Sequence, residues 1–265
     1  MKCALICFLK YPEPGHVKTR LAAHLGEPQA AELYAALAER VITEVYPLSQ
    51  SYDLILCHDP AHDVGLYREW IGDTWVYWEQ ESGDLGTRMS CAVDRALDEG
   101  YGRIAVIGSD CIGMDEAFID GVFSHLAEHD FVIGPSTDGG YYLIALQEYS
   151  PWIFDDIEWS TETVLETTLS KVEARELSAF QLDAKMDIDS LDDLTRFRRE
   201  LPEEHFLAKK IDQLVLEHIS PSNVESTEGE DPLTRITKAL QSGQFNTLPV
   251  SGIEMGGTDI DDGSP

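Results

Sequence analysis

Apolar and polar positions along this chain follow two different periods. Over residues 2–9 the run from Cys3 to Leu9 is unbroken and apolar, as in a strand covered on both faces. "YDLILCH" (52–58), "RIAVIGSD" (103–110), "DFVIGP" (130–135) and "GYYLIAL" (140–146) read as further strands, the last two separated by a turn. "WVYWEQ" (75–80) alternates, as a partly exposed strand does. Between these runs apolar side chains recur at helical spacing. Leu33, Leu37, Val41 and Val45 mark a helix over 28–45, with Pro28 in its first turn. Met89, Ala92, Val93 and Ala96 mark another over 84–100, stopped by Gly100, and a third covers 115–129.

Strand and helix in alternation predict an α/β fold, a three-layer sandwich with a mostly parallel central sheet. Past residue 150 the pattern changes. "STETVLETTLSKV" (160–172) opens on Ser and Thr with Glu close behind, a capped helix. "FQLDAKMDIDS" (180–190) reads as a short strand entering a carboxylate turn, followed by a helix over 190–201 capped by Ser190 and one over 203–218 after Pro202. Residues 1–219 thus form one domain. Residues 220–265 read as an acidic, largely flexible tail, too poor in apolar side chains to offset its ordering entropy, with one amphipathic turn at 233–241.

Composition excludes several classes. The 265 residues carry 49 acids against 19 bases, a formal charge of −30, which argues against binding nucleic acid. No run of 18 apolar residues offers a membrane span. The apolar N-terminus is too short for a signal peptide and no small-residue cleavage site follows, so a soluble cytoplasmic protein is expected. The five cysteines are odd in number and form no C-x-x-C pair, which predicts reduced thiols and no zinc site. Oligomeric state is not readable.

Against that acidity, residues 1–20 hold Lys2, Lys10, Lys18 and Arg20 with Glu13 as their only acid. In open α/β sheets the ligand crevice lies beyond the carboxyl ends of the strands, and "KYPEPGHVKTRL" (10–21) follows the first strand directly. Gly15 with Lys10, Lys18 and Arg20 makes a candidate phosphate cradle; solvated residues opening a helix are the alternative. Asp110 in "GSDC" ends the buried strand at 103–110, as a Mg²⁺ or Mn²⁺ ligand or as a helix cap alongside Asp115. Asp187 and Asp189, two apart, share one face of an extended segment and could supply the partner carboxylates, or head the helix behind them. Asp138 before Gly139 and Gly140 is a tight turn that permits close approach of a ligand or another backbone, and also an ordinary hairpin signal. Gly86 and Arg88 in "SGDLGTRM" suit phosphate or ribose contact, or a plain loop-to-helix transition. His58, Asp59, His62 and Asp63 invite a metal reading, but Pro60 breaks the helix that would align them, and an ordinary loop is expected.

Five segments, "FLKYPEPGHVKTRL", "GDLGTRM", "IGSDC", "GPSTDGGYYLIAL" and "MDIDSLDDL", occur in an order and spacing that resemble a bacterial family of glycosyltransferase-A-fold proteins, the arsenosugar-biosynthesis-type glycosyltransferases associated with radical-SAM genes. That family is similar to guanylyltransferases acting on phospholactate or phosphoenolpyruvate, and more distantly to molybdenum-cofactor nucleotidyltransferases. The likeness covers residues 2–200 and departs from the pattern at Ile112, where the family has proline. It implies a nucleotide-diphospho-sugar transferase fold. It also implies a nucleotide-activated donor held by Lys10, Gly15, Lys18 and Arg20, Mg²⁺ or Mn²⁺ on Asp110 with Asp187 or Asp189, and a small-molecule acceptor beside Asp138–Gly140. Catalysis is then expected from Asp110 and from Asp138 as base, with Glu158 behind it. Transfer of a nucleotidyl group from a nucleoside triphosphate is the alternative reaction, and a nucleotide-binding module the non-enzymatic one.

Overall fold

The computed structural model describes residues 1–218; the tail at 220–265 and its amphipathic turn lie outside the described residues. Seven strands make one sheet: β1 (Cys3–Leu9), β2 (Asp53–His58), β3 (Val76–Glu79), β4 (Arg103–Gly108), β5 (Phe131–Pro135), β6 (Tyr141–Leu146) and β7 (Ala179–Gln181). Their order is β3-β2-β1-β4-β6-β5-β7. All run parallel except β6, which is antiparallel to both β4 and β5. The helices are α1 (Thr19–Leu25), α2 (Glu27–Glu44), α3 (Val64–Ile71), α4 (Leu85–Asp98), α5 (Glu116–His125), α6 (Val164–Glu173), α7 (Leu191–Glu200) and α8 (Phe206–His218).

The unbroken apolar character of β1 follows from coverage on both sides. Leu5, Cys7 and Leu9 join a core with α2, α3 and α5. Ala4 and Ile6 face the opposite layer, built from α4, α6 and the short turn at Pro151–Ile153. This is the three-layer α/β sandwich that the periodicity predicts, and no helix among the described residues is long and apolar enough to cross a membrane. The five cysteines are unpaired.

A third core stands outside the sandwich. Leu21 and Leu25 of α1 and Leu33 and Leu37 of α2 meet Leu194 and Phe197 of α7 and Leu207, Ile211 and Leu214 of α8. Ile188, only 1% exposed, joins this cluster from the segment before α7. Arg198, buried, donates to both carboxylate oxygens of Asp212 at 2.8 Å and to Glu203 at 2.9 Å, fastening α7 to α8.

The structure departs from the sequence pattern in three places. α1 realises the helix start that was the alternative reading of Lys18 and Arg20, though with no side-chain cap, and the short α3 has no counterpart in the sequence pattern. The helix expected over 160–172 begins only at Val164 with no side-chain cap; one amide of its first turn looks instead to the Asp138–Gly140 turn, where Leu165 N–H donates to Gly139 C=O at 2.9 Å. The strand expected over 180–190 pairs as a ladder only through Gln181 and touches the sheet again at the Ser136–Lys185 bridge. Asp115 caps α5, accepting from Phe118 N–H, and Ser190 with Asp193 forms a capping box on α7.

Because Ile188 is buried in the helical core between Asp187 and Asp189, Ile188→Ala is expected to destabilise the protein by about 2–5 kcal/mol, measured as a lowered midpoint in urea unfolding, while Ile188→Val costs about 1 kcal/mol.

Candidate active site

The loops after β1 and β4 emerge side by side because these strands are neighbours in register, Phe8 opposite Gly108. A side chain of α2 ties them together. Tyr34 of α2 accepts from the Lys10 amide at 2.9 Å and shares a 2.8 Å hydrogen bond with the Ser109 hydroxyl. A tyrosine on a buried helical face with a polar tip is a signal that apolar periodicity alone passes over.

From the first loop the chain turns into α1 through Lys18, which adopts a left-handed conformation (φ 47°, ψ 45°). For a side-chain-bearing residue this is a strained backbone. It aims the ammonium inward, where it donates to Asp110 Oδ2 at 2.9 Å and to Asp189 Oδ1 at 2.6 Å. The lysine side chain is 3% exposed, whereas those of Asp110 and Asp189 are 34% and 45% exposed. One cation is therefore sealed behind two carboxylates that still face solvent. The two oxygens lie no farther apart than these two contacts laid end to end.

Asp187 completes the group. Burial, then the charges of Asp110 and Asp138, push its carboxyl up to about 7, with Lys18 opposing and Asp189 adding to the rise. Lys18 is held at about 12: burial works against its charge, but Asp110 and Asp189 outweigh it. Asp138 stands at the edge of this cluster. Its Oδ1 accepts from the Ser136 hydroxyl and from Gly140 N–H, an Asx turn. Gly139 is at φ +91°, and a Cβ there would lie 2.2 Å from Glu162 C=O. Of the two readings of the Asp-Gly-Gly turn, close approach of another backbone is thus part of the answer. Cys111, buried beside Asp187, has its thiol pushed up by burial.

The carboxylates are hard oxygen donors of the type Mg²⁺ and Mn²⁺ take, and the ammonium stands where a shared cation would. In that sense the residues fit the ion. Among the described residues, however, no three acid, histidine or cysteine side chains form a ready-made metal cage.

Other candidates are placed differently. Arg20 is exposed on the first turn of α1 with no carboxylate partner among the described residues, and Lys10 is exposed directly after β1. Gly15 has φ +81° and backs onto the Glu27 side chain. Gly86 is a correction: it lies inside α4, buried, where a Cβ would meet Phe154 C=O at 2.6 Å and Trp159 Nε1 at 2.7 Å. Its missing side chain makes room for protein, not for a nucleotide. Arg88 donates to Asp59 Oδ2 at 2.8 Å, Gln80 Oε1 at 3.1 Å and Gly83 C=O at 3.0 Å. It binds the loops after β2 and β3 to α4, beside a cleft of about 330 Å³ that Trp78 and Ser82 also line. Glu158 is exposed, and only its main-chain carbonyl is engaged, by Thr161. Asp63 caps α3, and His62 and His16 both face Glu13, so the stretch after β2 is the loop its proline suggests.

The shifted Asp187 carboxyl makes stability depend on pH. Its folded value of about 7 lies above the ordinary 3.8, so the folded chain keeps a proton that the unfolded chain releases. The resulting stabilisation is present below about pH 4 and is lost as pH rises through 7. In chelator-treated protein, melting temperature between pH 4 and 8 is expected to fall more steeply for the wild type than for Asp187→Asn.

No curated protein matches the chain. Residues 43–161 match the family described as "Uncharacterized protein conserved in bacteria (DUF2064)". Among solved structures, a protein from Desulfovibrio desulfuricans G20, provisionally named a nucleotide-diphospho-sugar transferase, is 32% identical, with 82% of this chain and 98% of that chain covered and a TM-score of 0.75. A 4-diphosphocytidyl-2C-methyl-D-erythritol synthase from Anaerococcus prevotii DSM 20548 is 10% identical, with 72% and 94% covered and a TM-score of 0.48. A cytidylyltransferase from Leptospira borgpetersenii is 14% identical, with 82% and 95% covered and a TM-score of 0.45. The chain belongs to the family of bacterial nucleotide-diphospho-sugar transferase-like proteins that includes the Desulfovibrio protein.

Proposed function

We propose that the protein is a divalent-metal-dependent transferase that takes a glycosyl group from a nucleotide-diphospho-sugar and passes it to a small-molecule acceptor. The observation that carries this reading is the meeting of Lys18, from the first βα turn, with Asp110 and Asp189, from two distant segments. The fold and the name given to the Desulfovibrio relative support the donor class. The finer resemblance to arsenosugar-biosynthesis-type glycosyltransferases supports glycosyl over nucleotidyl transfer.

Asp110, Asp187 and Asp189 would hold Mg²⁺ or Mn²⁺, which supplies charge neutralisation to the departing diphosphate. Lys18, with Lys10 and Arg20 on the same loop and helix start, binds the diphosphate oxygens and lowers the same barrier. The acceptor hydroxyl forms a bond to the anomeric carbon as the bond from that carbon to the phosphate oxygen breaks. The hydroxyl proton passes to Asp138, whose Oδ1 is fixed by Ser136 and Gly140, and the nucleoside diphosphate leaves with the electron pair. Asp138 is exposed at the rim of the carboxylate group, where an acceptor can approach from solvent.

Thermal-shift titration separates the two transfer reactions. UDP-, GDP-, CDP- and ADP-sugars and the corresponding triphosphates are each added with and without Mn²⁺. One nucleotide-sugar is expected to raise the melting temperature in a Mn²⁺-dependent way, and Asp110→Asn to lose that shift. With the identified donor, Asp110→Asn is expected to lower kcat/KM by about 10²–10³-fold. Stabilisation by a triphosphate alone, with pyrophosphate release in the presence of a phosphorylated acceptor, would instead establish nucleotidyl transfer.

A further inference from the structure

We propose that Lys18 is a built-in counter-ion of this site: in the ligand-free chain its ammonium holds the place between Asp110 and Asp189, and a divalent metal gains that place only as the phosphates of an incoming donor draw the ammonium away. This rests on the functional reading above and adds to it an order of binding, in which metal and nucleotide enter together.

The geometry requires such an exchange. The ammonium makes charge-assisted contacts with both exposed carboxylates, so a dication on the same oxygens would sit against it, and like charges at that spacing repel strongly. Nor can the ammonium simply step aside. Its side chain is 3% exposed, and its backbone is held by α1, whose Leu21 and Leu25 are buried in the helical core. A cation in that position without an anion bears the full cost of desolvation. A phosphate resolves both difficulties, because it gives Lys18 a new anionic partner and brings further oxygens to the metal. Lys10 and Arg20, exposed on the same loop and helix start, offer the phosphate additional positive charge. The absence of a three-ligand cage among the described residues agrees with a site that is completed by its ligand. Linkage makes the exchange reciprocal: the factor by which a diphosphate tightens metal binding equals the factor by which metal tightens the diphosphate.

Equilibrium dialysis of the full chain against Mn²⁺, with and without inorganic pyrophosphate as a base-independent probe, tests the exchange. Wild type, Lys18→Met and Lys18→Gln are compared, and uptake by Asp110→Asn is subtracted to remove the contribution of other acidic residues. Wild type is expected to bind Mn²⁺ at least about tenfold more tightly with pyrophosphate than without. Both Lys18 variants are expected to bind Mn²⁺ alone at least about tenfold more tightly than wild type, and to gain about threefold or less from pyrophosphate. Equal affinity of wild type and folded variants for Mn²⁺ alone overturns the exchange and leaves the metal reading standing. Wild type that binds Mn²⁺ equally well with and without pyrophosphate overturns it without recourse to any variant. No Asp110-dependent uptake by any of these proteins, even with pyrophosphate, overturns the metal reading itself.

Discussion

One desolvated ammonium organises the functional end of this molecule. Lys18 lies behind Asp110 and Asp189 with almost none of its side chain in water. A lysine in that position is stable only while anions face it. Each larger feature of the fold contributes one side of the enclosure. The β1–β4 pairing sets Asp110 beside the loop that carries Lys18. The helical core outside the sandwich places α1, which Lys18 opens, against the segment holding Asp187 and Asp189. The left-handed turn at Lys18 is a local strain that the two ion pairs offset.

The acidity of the chain acquires a meaning at this site. Carboxylates come from the end of β4, from the turn between β5 and β6, and from the segment before α7, and they accumulate faster than the one lysine can neutralise them. Asp187 absorbs the excess by holding its proton up to about 7. A region that carries more negative charge than its own cations balance attracts a divalent cation from outside. It repels a bare nucleotide phosphate. In the proposed reading, metal and phosphate arriving together would satisfy both signs, with the basic first loop as the landing surface for the anion.

Much of this was legible in the sequence. Unbroken apolar runs mark the five central strands because each is covered on both faces, and polar motifs follow directly after those runs at the strand ends. The i, i+2 spacing of Asp187 and Asp189 placed them on one face, and Ile188 between them turns to the opposite side and into the helical core. What escaped was tertiary in origin. The seven residues of α1 are good helix formers but too few to form a helix alone; packing of Leu21 and Leu25 stabilises them. The start of α6 lies later than the cap-like Ser160 and Thr161 suggest, and the Gly139 carbonyl meets the Leu165 amide of its first turn. Gly86 resembled a ligand-binding glycine because the sequence cannot say which atom fills the space a glycine leaves, and here it is Trp159 and the Phe154 carbonyl.

The same lysine and carboxylates would serve glycosyl and nucleotidyl transfer equally, since both reactions release a phosphate that needs cations. What separates them lies on the far side of the reacting bond, where glycosyl transfer requires a base and attack by an acceptor phosphate does not. Asp138 is the group proposed for that base, and the local structure holds it in place. Its Oδ1 is pinned by Ser136 and Gly140, and Gly139 allows the backbone at Glu162 to approach more closely than any side chain would permit. The same turn receives the Leu165 amide of α6, a helix packed on the sheet. Under the proposed glycosyl transfer, a carboxylate held rigidly at the rim of the charged group is what proton abstraction from an acceptor would demand.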